Sequence, residues 1–378
     1  MDKLTTFVGL DQHKKRITVA VALGDGEPFG AGTIANQPEA IARLVEKWGA
    51  EGTIYAYEAG PCGYGLYRQL VSLGTRCIVV APSRIPKAPG ERVKTDRRDA
   101  LKLAVLLRAG SLPAVWVPDV EQEALRDLTR ARQSAQQDLQ RVRNRLTKLL
   151  LHLDVRPPAE VKSWTVAYRR WLQELQLPRP LQQSVLAELR QALEEAEARA
   201  RRLRHLVQEA AKLSRWAPLI QALQTLRGIG VITAITLVAE MGDPSRFQTA
   251  PRLMGYGGLI PSEYSTGNRV RRGHITRTGN AHIRHVLGEA AWVAARSLQA
   301  GKVLRQQRAG QPEAILAIAT RADERLHRRY YRLIHRGKPS QQAATAVARE
   351  LLGFVWAIAR TVAGLPVPPP RHAHAAAA

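Results

Sequence analysis

The stretch LTTFVGLDQHKKRITVAVAL, residues 4–23, predicts two β-strands joined by a tight turn. Its first half is apolar, with the β-branched and aromatic residues that favour strands. Its second half ends in ITVAVAL, a nearly continuous apolar run that is typical of a strand buried on both faces. Asp11 stands where the first strand ends. The stretch therefore predicts the centre of a sheet with a carboxylate at its edge.

Strands and helices alternate after this stretch. The predicted elements are a helix over 37–50, a strand over 53–60, a helix over 63–74 and a strand over 76–82. Residues 82–94 contain three prolines and are predicted to form a loop. Such an alternation of short strands and amphipathic helices indicates an α/β layer fold. We therefore predict an α/β domain over residues 1–115.

Three more acidic residues stand at the ends of these elements. Glu58 ends the strand TIYAYE, and KTDRRDALKLA, residues 94–104, begins a helix near Thr95 with Asp96 and Asp99 on one face. Carboxylate oxygens are the ligands that suit Mg²⁺, and paired ions stabilise the attacking and leaving oxygens of a phosphodiester. Each acid alone also fits a turn or a helix cap. Their combination predicts a Mg²⁺ site of Asp11, Glu58, Asp96 and Asp99.

The character of the chain changes near residue 116. Two long amphipathic segments, residues 121–153 and 179–213, predict helices that form a hairpin or coiled coil over 116–216. Residues 217–300 are glycine-rich and mostly helical, and residues 301–365 are helical and basic. The low-complexity tail 366–378 is predicted to be disordered.

A basic, glycine-rich segment, YSTGNRVRRGHITRTGN, covers residues 264–280. Glycines let a backbone approach phosphate closely, and arginines bind phosphate oxygens in a bidentate way. The arginines predicted to bind nucleic acid are Arg269, Arg271, Arg272 and Arg277. A serine or threonine here could attack a phosphodiester if it were activated. The ordinary alternative is an exposed loop with a turn serine.

The segment LRGIGVITA, residues 226–234, resembles a helix-hairpin-helix turn. Its Gly228 and Gly230 would let backbone amides face a DNA phosphate. A tight turn between two helices explains the same glycines equally well. The histidines His13, His274, His282 and His285 show no metal-ligand pattern with nearby Cys or Glu. For His282 and His285, which share a helical face with arginines, contact with phosphate is a better interpretation than metal binding.

Charge indicates the kind of partner. The 378 residues include 57 Lys and Arg against 32 Asp and Glu, a formal net charge of +25. Such an excess attracts polyanions, nucleic acid before all others. No apolar run approaches the length of a membrane-spanning helix, and the N-terminus lacks the form of a signal peptide. With only two cysteines, we expect a cytoplasmic protein without disulfides.

Five segments together resemble one family of bacterial insertion-sequence transposases, the DEDD family now called bridge recombinases. They are residues 8–21, 55–70, 94–104, 225–247 and 255–292. The resemblance covers about residues 5–300. It implies an RNase H-like, or RuvC-like, N-terminal domain, a helical insert and a C-terminal transposase domain. It also implies that Asp11, Glu58, Asp96 and Asp99 are the metal-binding acids.

The same resemblance implies a serine nucleophile, guidance by a structured bridge RNA, donor and target DNA as substrates, and a homo-oligomer, dimer or tetramer. The family's serine directly precedes the motif's glycine. Here Thr266 precedes Gly267, and Ser265 comes one residue earlier. We favour Ser265 as the nucleophile, with Thr266 second and Ser262 a remote third. An inactive copy is a further alternative.

Two other functions remain open at this point. One is a metal-dependent nuclease of the Holliday-junction-resolvase type, in which water is the nucleophile and both hydroxyl residues are structural. The other is a non-catalytic protein that binds DNA or RNA through its basic surface.

Overall fold

The computed structural model describes residues 5–86, 95–267 and 269–368. The chain divides after Pro118 into two compact units. The predicted loop over 82–94 and the predicted tail lie largely outside the described residues. No helix in the described part is long and apolar enough to cross a membrane.

The first unit is a mixed α/β domain, as predicted. Its strands are β1 (Thr6–Gln12), β2 (Arg16–Leu23), β3 (Phe29–Ala35), β4 (Thr53–Glu58) and β5 (Arg76–Val80). Its helices are α1 (Pro38–Trp48), α2 (Gly65–Ser72) and α3 (Asp96–Arg108). The sheet order is β3-β2-β1-β4-β5. The strands β1, β2 and β3 pair antiparallel, whereas β4 pairs parallel with both β1 and β5.

The sheet is buried on both faces, and the two faces carry different helices. Side chains of α1 and α2, such as Ile41 and Leu70, pack with Leu10 and Tyr57 on one face. The helix α3 covers the other face through small residues such as Ala100 and Ala104. The apolar run of β2 is an internal strand, which confirms the prediction from ITVAVAL.

The strand β3 was not predicted. Its sequence FGAGTIA is largely exposed and lies at the edge of the sheet, so it shows neither an apolar run nor an alternating pattern. Pairing with β2, rather than the character of its own residues, makes it a strand.

The second unit begins with three helices, α4 (Val120–His152), α5 (Val166–Glu174) and α6 (Pro180–Leu213). The long helices α4 and α6 pack along a shared apolar seam that includes Leu146 and Leu186. Arg143 of α4 also pairs with Glu197 of α6 at 2.9 Å. The two predicted long helices are confirmed; a coiled coil with regular interdigitation stays a prediction. The helix α5 lies in the segment that was predicted only as a connection, and its Tyr168 is buried against this seam.

The rest of the second unit surrounds a larger core. Its helices are α7 (Ala217–Leu223), α8 (Val231–Met241), α9 (Ala250–Tyr256), α10 (Ala281–Ala290), α11 (Lys302–Arg308), α12 (Glu313–His335) and α13 (Ser340–Val362). A small antiparallel hairpin, β6 (Pro261–Glu263) and β7 (Arg272–Ile275), was not predicted. The apolar helix α8 lies at the centre, where every residue from Ala234 to Met241 is buried. The division of this unit at residues 216 and 300 stays a prediction.

Candidate functional site

The acidic residues of the first unit meet on the face of the sheet that α3 covers. Side chains alternate along a strand, so Phe7, Gly9 and Asp11 of β1 share this face. Gly9 brings α3 close, since an ideal Cβ at this position would lie 2.2 Å from the carbonyl oxygen of Ala100. The first turn of α3 then reaches the end of β1. Thr95 caps that turn by accepting a hydrogen bond from the backbone N–H of Arg98.

Asp11 and Asp96 form a compact group with His13. The Nε2 atom of His13 lies 3.3 Å from Oδ2 of Asp11 and 3.5 Å from Oδ2 of Asp96. One ligand atom from each residue lies within 4.8 Å of the others. Arg16 also contacts Oδ2 of Asp96, at 3.1 Å. Two carboxylate oxygens and an imidazole nitrogen at these separations can bind one divalent cation.

The electrostatics of Asp11 agree with such a group. Burial raises the pKa of Asp11, and the nearby carboxylates of Asp96 and Asp99 raise it further. The interaction with His13 lowers this pKa but does not cancel the other effects. Burial and the neighbouring carboxylates both disfavour the ionised form of Asp11, and a bound cation would stabilise that form.

Glu58 and Asp99 lie near this group without belonging to it. Leu10 of β1 lies opposite Tyr57 of the parallel strand β4. The next residues of the two strands, Asp11 and Glu58, therefore lie at the same edge of the sheet and on the same face. Asp99 is close enough to Asp11 to raise its pKa. Among the described residues, neither has an oxygen within the 4.8 Å group of Asp11, His13 and Asp96.

His13 is the residue of this site that the sequence interpretation missed. The sequence shows no pattern of His13 with a nearby Cys or Glu, and the neighbours that the structure gives it are two aspartates. The turn between β1 and β2 explains this, because the backbone N–H of His13 donates to the carbonyl of Arg16 and holds the ring beside Asp11. The spacing Asp-x-His across the end of a predicted strand was the available signal.

The hydroxyl residues of the second unit lie on the exposed end of the β6–β7 hairpin. Ser265 donates a hydrogen bond from its hydroxyl to Oε1 of Glu263 at 3.0 Å and accepts one from the backbone N–H of Arg271 at 3.3 Å. The backbone of Thr266 pairs with that of Arg269 across the turn, in both directions. Gly267 occupies this turn with φ of +55°, a conformation that glycine adopts without strain.

The four predicted phosphate-binding arginines are all exposed and follow the hairpin and the loop after it. Arg272 pairs with Glu263 at 3.2 Å, so its positive charge is partly neutralised within the protein. The hydrogen bonds from Ser265 and Arg272 hold the pKa of Glu263 below its usual value. Glu263 is therefore ionised at neutral pH. Of Arg269, Arg271 and Arg277, none has an acidic partner within the described parts of the chain.

The Gly-Ile-Gly segment lies between α7 and α8, as predicted. Gly228 has φ of +82°, and an ideal Cβ there would lie 2.5 Å from the carbonyl oxygen of Ala290. Gly230 is the residue that caps the start of α8. Close packing against α10 thus accounts for Gly228. Contact with a DNA phosphate stays a prediction for both glycines.

Glu240 is a buried carboxylate that the sequence interpretation did not single out. Its side chain is fully buried and accepts hydrogen bonds from Arg130 at 2.7 and 2.9 Å and from Asn280 at 2.7 Å. Burial acts to raise the pKa of Glu240, but these hydrogen bonds outweigh it and hold the pKa below its usual value. Because Asn280 also caps α10 directly after the hairpin loop, Glu240 ties α4, α8 and α10 to the base of that loop.

Comparison with known proteins identifies the family. The family profile described as Transposase IS116/IS110/IS902 matches residues 220–306, and the DEDD transposase profile of IS110 elements matches residues 8–153. The transposase of insertion sequence element IS1533 from Leptospira borgpetersenii is 31% identical, over 88% of this chain and 97% of its own length. A Sinorhizobium fredii protein that also bears the name transposase is 42% identical, over 95% of this chain and 90% of its own length.

The chain belongs to the IS110 family of transposases.

As an IS110-family transposase, the protein is an enzyme that cuts and rejoins DNA, which sets aside the alternative of a non-catalytic binding protein. Its DEDD domain indicates dependence on a divalent cation, and the donor set of Asp11, Asp96 and His13 fits such an ion. The DEDD profile covers the acidic group, and the other profile covers the β6–β7 hairpin.

Proposed function

We propose that this transposase cuts and rejoins DNA through a covalent intermediate on Ser265. The Oγ atom of Ser265 attacks the phosphorus, the new Ser–O–P bond forms as the bond to the leaving sugar oxygen breaks, and the serine proton passes to that oxygen through solvent. A hydroxyl of the joining strand then attacks the same phosphorus and releases the serine. One P–O bond replaces another in each step, so no external energy source is needed.

The hydrogen bond from Ser265 to Glu263 is the observation that carries this assignment. It holds the serine oxygen at a defined place on an otherwise exposed hairpin. The hydroxyl of Thr266 has no hydrogen bond within the described residues, and its backbone is committed to the turn. Of the two candidates, Ser265 is thus the oriented one, and Thr266 fits the role of a turn residue.

Glu263 serves to orient Ser265 rather than to remove its proton. A carboxylate whose pKa lies below its usual value is a weak base at neutral pH. Its second oxygen is held by Arg272 at 3.2 Å, which fixes the carboxylate plane. The pair Glu263 and Arg272 therefore acts as a support for the nucleophile.

The acids of the first unit would bind the divalent cation, which we propose to be Mg²⁺. Asp11 and Asp96 would provide oxygen ligands, with Glu58 and Asp99 completing the DEDD set. When bound, the cation supplies Lewis acidity at the scissile phosphate. His13 would add a nitrogen ligand, since its Nε2 atom lies 3.3 Å from Asp11 and 3.5 Å from Asp96. We also propose that the first unit is related to the RuvC nucleases.

Further partners are proposed from the family resemblance and from charge. We propose that a structured bridge RNA guides the enzyme to donor and target DNA, that the enzyme works in the cytoplasm, and that it acts as a homo-oligomer, a dimer or tetramer. A net charge of +25 suits simultaneous binding of two nucleic acids. The arginines at the hairpin and the glycines Gly228 and Gly230 are the proposed contacts to phosphate.

Trapping of the covalent intermediate tests the proposal. The reaction is stopped with denaturant and labelled DNA is followed on a denaturing gel, with wild type beside Ser265→Ala, Thr266→Ala and Asp11→Asn. We expect an adduct with wild type and with Thr266→Ala, and none with the other two. Loss of the adduct only in Thr266→Ala would assign the nucleophile to the threonine. Cleavage by every hydroxyl variant without any adduct would instead favour the resolvase-type nuclease that uses water.

A further inference from the structure

A row of arginines follows one face of α12. Its members lie four, three, four and four residues apart, and at 3.6 residues per turn they share one side of the helix. The arginine row consists of Arg321, Arg325, Arg328, Arg332 and Arg336. All five side chains are exposed. None of them belongs to the acidic group, the hairpin or the Gly-Ile-Gly turn.

Packing on both sides holds the row facing outward. The apolar face of α12, which includes Ile318 and Leu326, is buried in the core of the unit. On the other flank, His327 contacts the carbonyl of Ala294 at 3.0 Å and Tyr331 donates to the carbonyl of Ala295 at 3.0 Å. These contacts set the orientation of the helix, so the row faces away from the core.

Most of this charge is not neutralised by the protein. Arg325 pairs with Glu350 at 2.8 Å. Arg321, Arg328 and Arg332 have no acidic partner in the described part of the chain. Several arginines of α4 and α6 differ, since Arg143 and Arg199 pair with acids across the seam. Like charges at these helical spacings repel one another, so a polyanion bound to this face would reduce the repulsion between the arginines.

We propose that the arginine row binds the phosphate backbone of duplex DNA. Arg321 and Arg332, the ends of the row within α12, are about 16 Å apart along the axis at about 1.5 Å per residue, which spans roughly five base pairs at about 3.4 Å of axis per pair. Arg336 follows directly after the helix. A straight, rigid row suits a straight duplex, and DNA is the established substrate of the family. Guanidinium groups bind phosphate oxygens in a bidentate way. This surface extends DNA binding beyond the cleavage site, whichever hydroxyl is the nucleophile.

The test is the salt dependence of binding to a 30-base-pair duplex of unrelated sequence. The triple variant Arg321→Gln, Arg328→Gln, Arg332→Gln is compared with a control triple, Arg145→Gln, Arg170→Gln, Arg202→Gln. The control residues are exposed arginines of α4, α5 and α6 without an acidic partner among the described residues. Both triples remove the same charge, and Gln keeps the helix propensity of Arg.

A plot of log affinity against log salt concentration has a negative slope of about 0.9 per phosphate contact. We expect this slope to become less steep by about 3 in the α12 variant. Its affinity at low salt should be reduced roughly tenfold or more. The control triple should keep the wild-type slope. A third variant with Lys at the same three positions of α12 should also keep it, which shows that charge and not a loss of folding is responsible.

Three results would overturn the proposal. One is an unchanged slope in the α12 variant. Another is an equal fall in the control triple, which would show only the effect of net charge. The last is that the α12 triple variant binds a single-stranded RNA of the same length more weakly than the wild type but binds the DNA duplex equally well. That result would assign the row to RNA.

Discussion

Gly9 of β1 lies directly against the backbone of Ala100 in α3, so close that an ideal Cβ at position 9 would meet its carbonyl oxygen at 2.2 Å and the nitrogen of Ala104 at 2.5 Å. This close approach sets the distance between the strand that carries Asp11 and the helix that carries Asp96 and Asp99. The absence of a side chain at Gly9 is therefore a condition for the acidic group.

The first prediction concerns this contact. Gly9→Ala should destabilise the first unit by about 2 kcal/mol or more, because the backbone of α3 must move to admit the methyl group. DNA cleavage should fall with it, since Asp96 moves away from Asp11. Urea unfolding and a cleavage assay measure the two effects. Gly65→Ala is the matched control, because an ideal Cβ there meets nothing within 4 Å. Equal stability of the two variants would contradict the prediction.

The second prediction concerns metal binding. A divalent cation at one hundred times its Kd should stabilise the wild type by about 2.7 kcal/mol, seen as a rise of the melting temperature. Asp11→Asn should abolish this rise, because it replaces a charged carboxylate ligand with a neutral amide. Asp25→Asn, at an exposed carboxylate of the same unit, should keep it. The measurement is thermal unfolding of each protein in Mg²⁺ and in chelator. A rise of the melting temperature in Asp11→Asn equal to that of the wild type would place the ion elsewhere.

The third prediction separates orientation from proton transfer at Glu263. Glu263→Ala should slow adduct formation on the order of a hundredfold through misplacement of Ser265. Glu263→Gln should lose much less, since its amide oxygen still accepts the serine hydrogen bond. Affinity for DNA should be unchanged in both. If Gln and Ala were equally slow, Glu263 would be a general base, and if neither were slow the hydrogen bond would have no role.

The fourth prediction concerns the buried Glu240. Glu240→Gln should destabilise the second unit by about 3 kcal/mol at pH 7, because it breaks a buried ion pair. This value is at the lower end for such pairs, since the side chain of Arg130 is 46% exposed and can be hydrated when its partner is lost. The pKa of Glu240 is lowered by folding, so its carboxylate stabilises above the usual pKa and loses this effect as pH falls through the lowered value.

Urea unfolding at pH 7 and in acid measures this difference, which should shrink in acid. Glu188→Gln, an exposed carboxylate on α6, should change stability by less than about 0.5 kcal/mol at either pH. A difference for Glu240→Gln that grew in acid would contradict the assigned direction of its pKa.

Local patterns in the sequence predict much of the first unit and its site. The apolar run of β2 and the position of Asp11 near the end of β1 require only strand periodicity, and the parallel register of β1 with β4 then brings Glu58 to the same edge. Residues that depend on distant partners could not be predicted. Glu240 meets Arg130 and Asn280 across long separations in the chain, and nothing in its neighbourhood in the sequence signals either partner. Charge alone could not distinguish the outward arginine row from paired arginines, since both have helical spacing.

Identification of the amino acid joined to DNA is the decisive test of Ser265 as the nucleophile. Wild-type protein is allowed to react with a DNA duplex, the reaction is stopped with denaturant, and the adduct is digested with nuclease and protease for mass spectrometry. We expect a nucleotide joined through its phosphate to the hydroxyl of Ser265, within the peptide that spans the β6–β7 hairpin. A modification on Thr266 or any other residue, or cleaved DNA with no modified peptide at all, would contradict it.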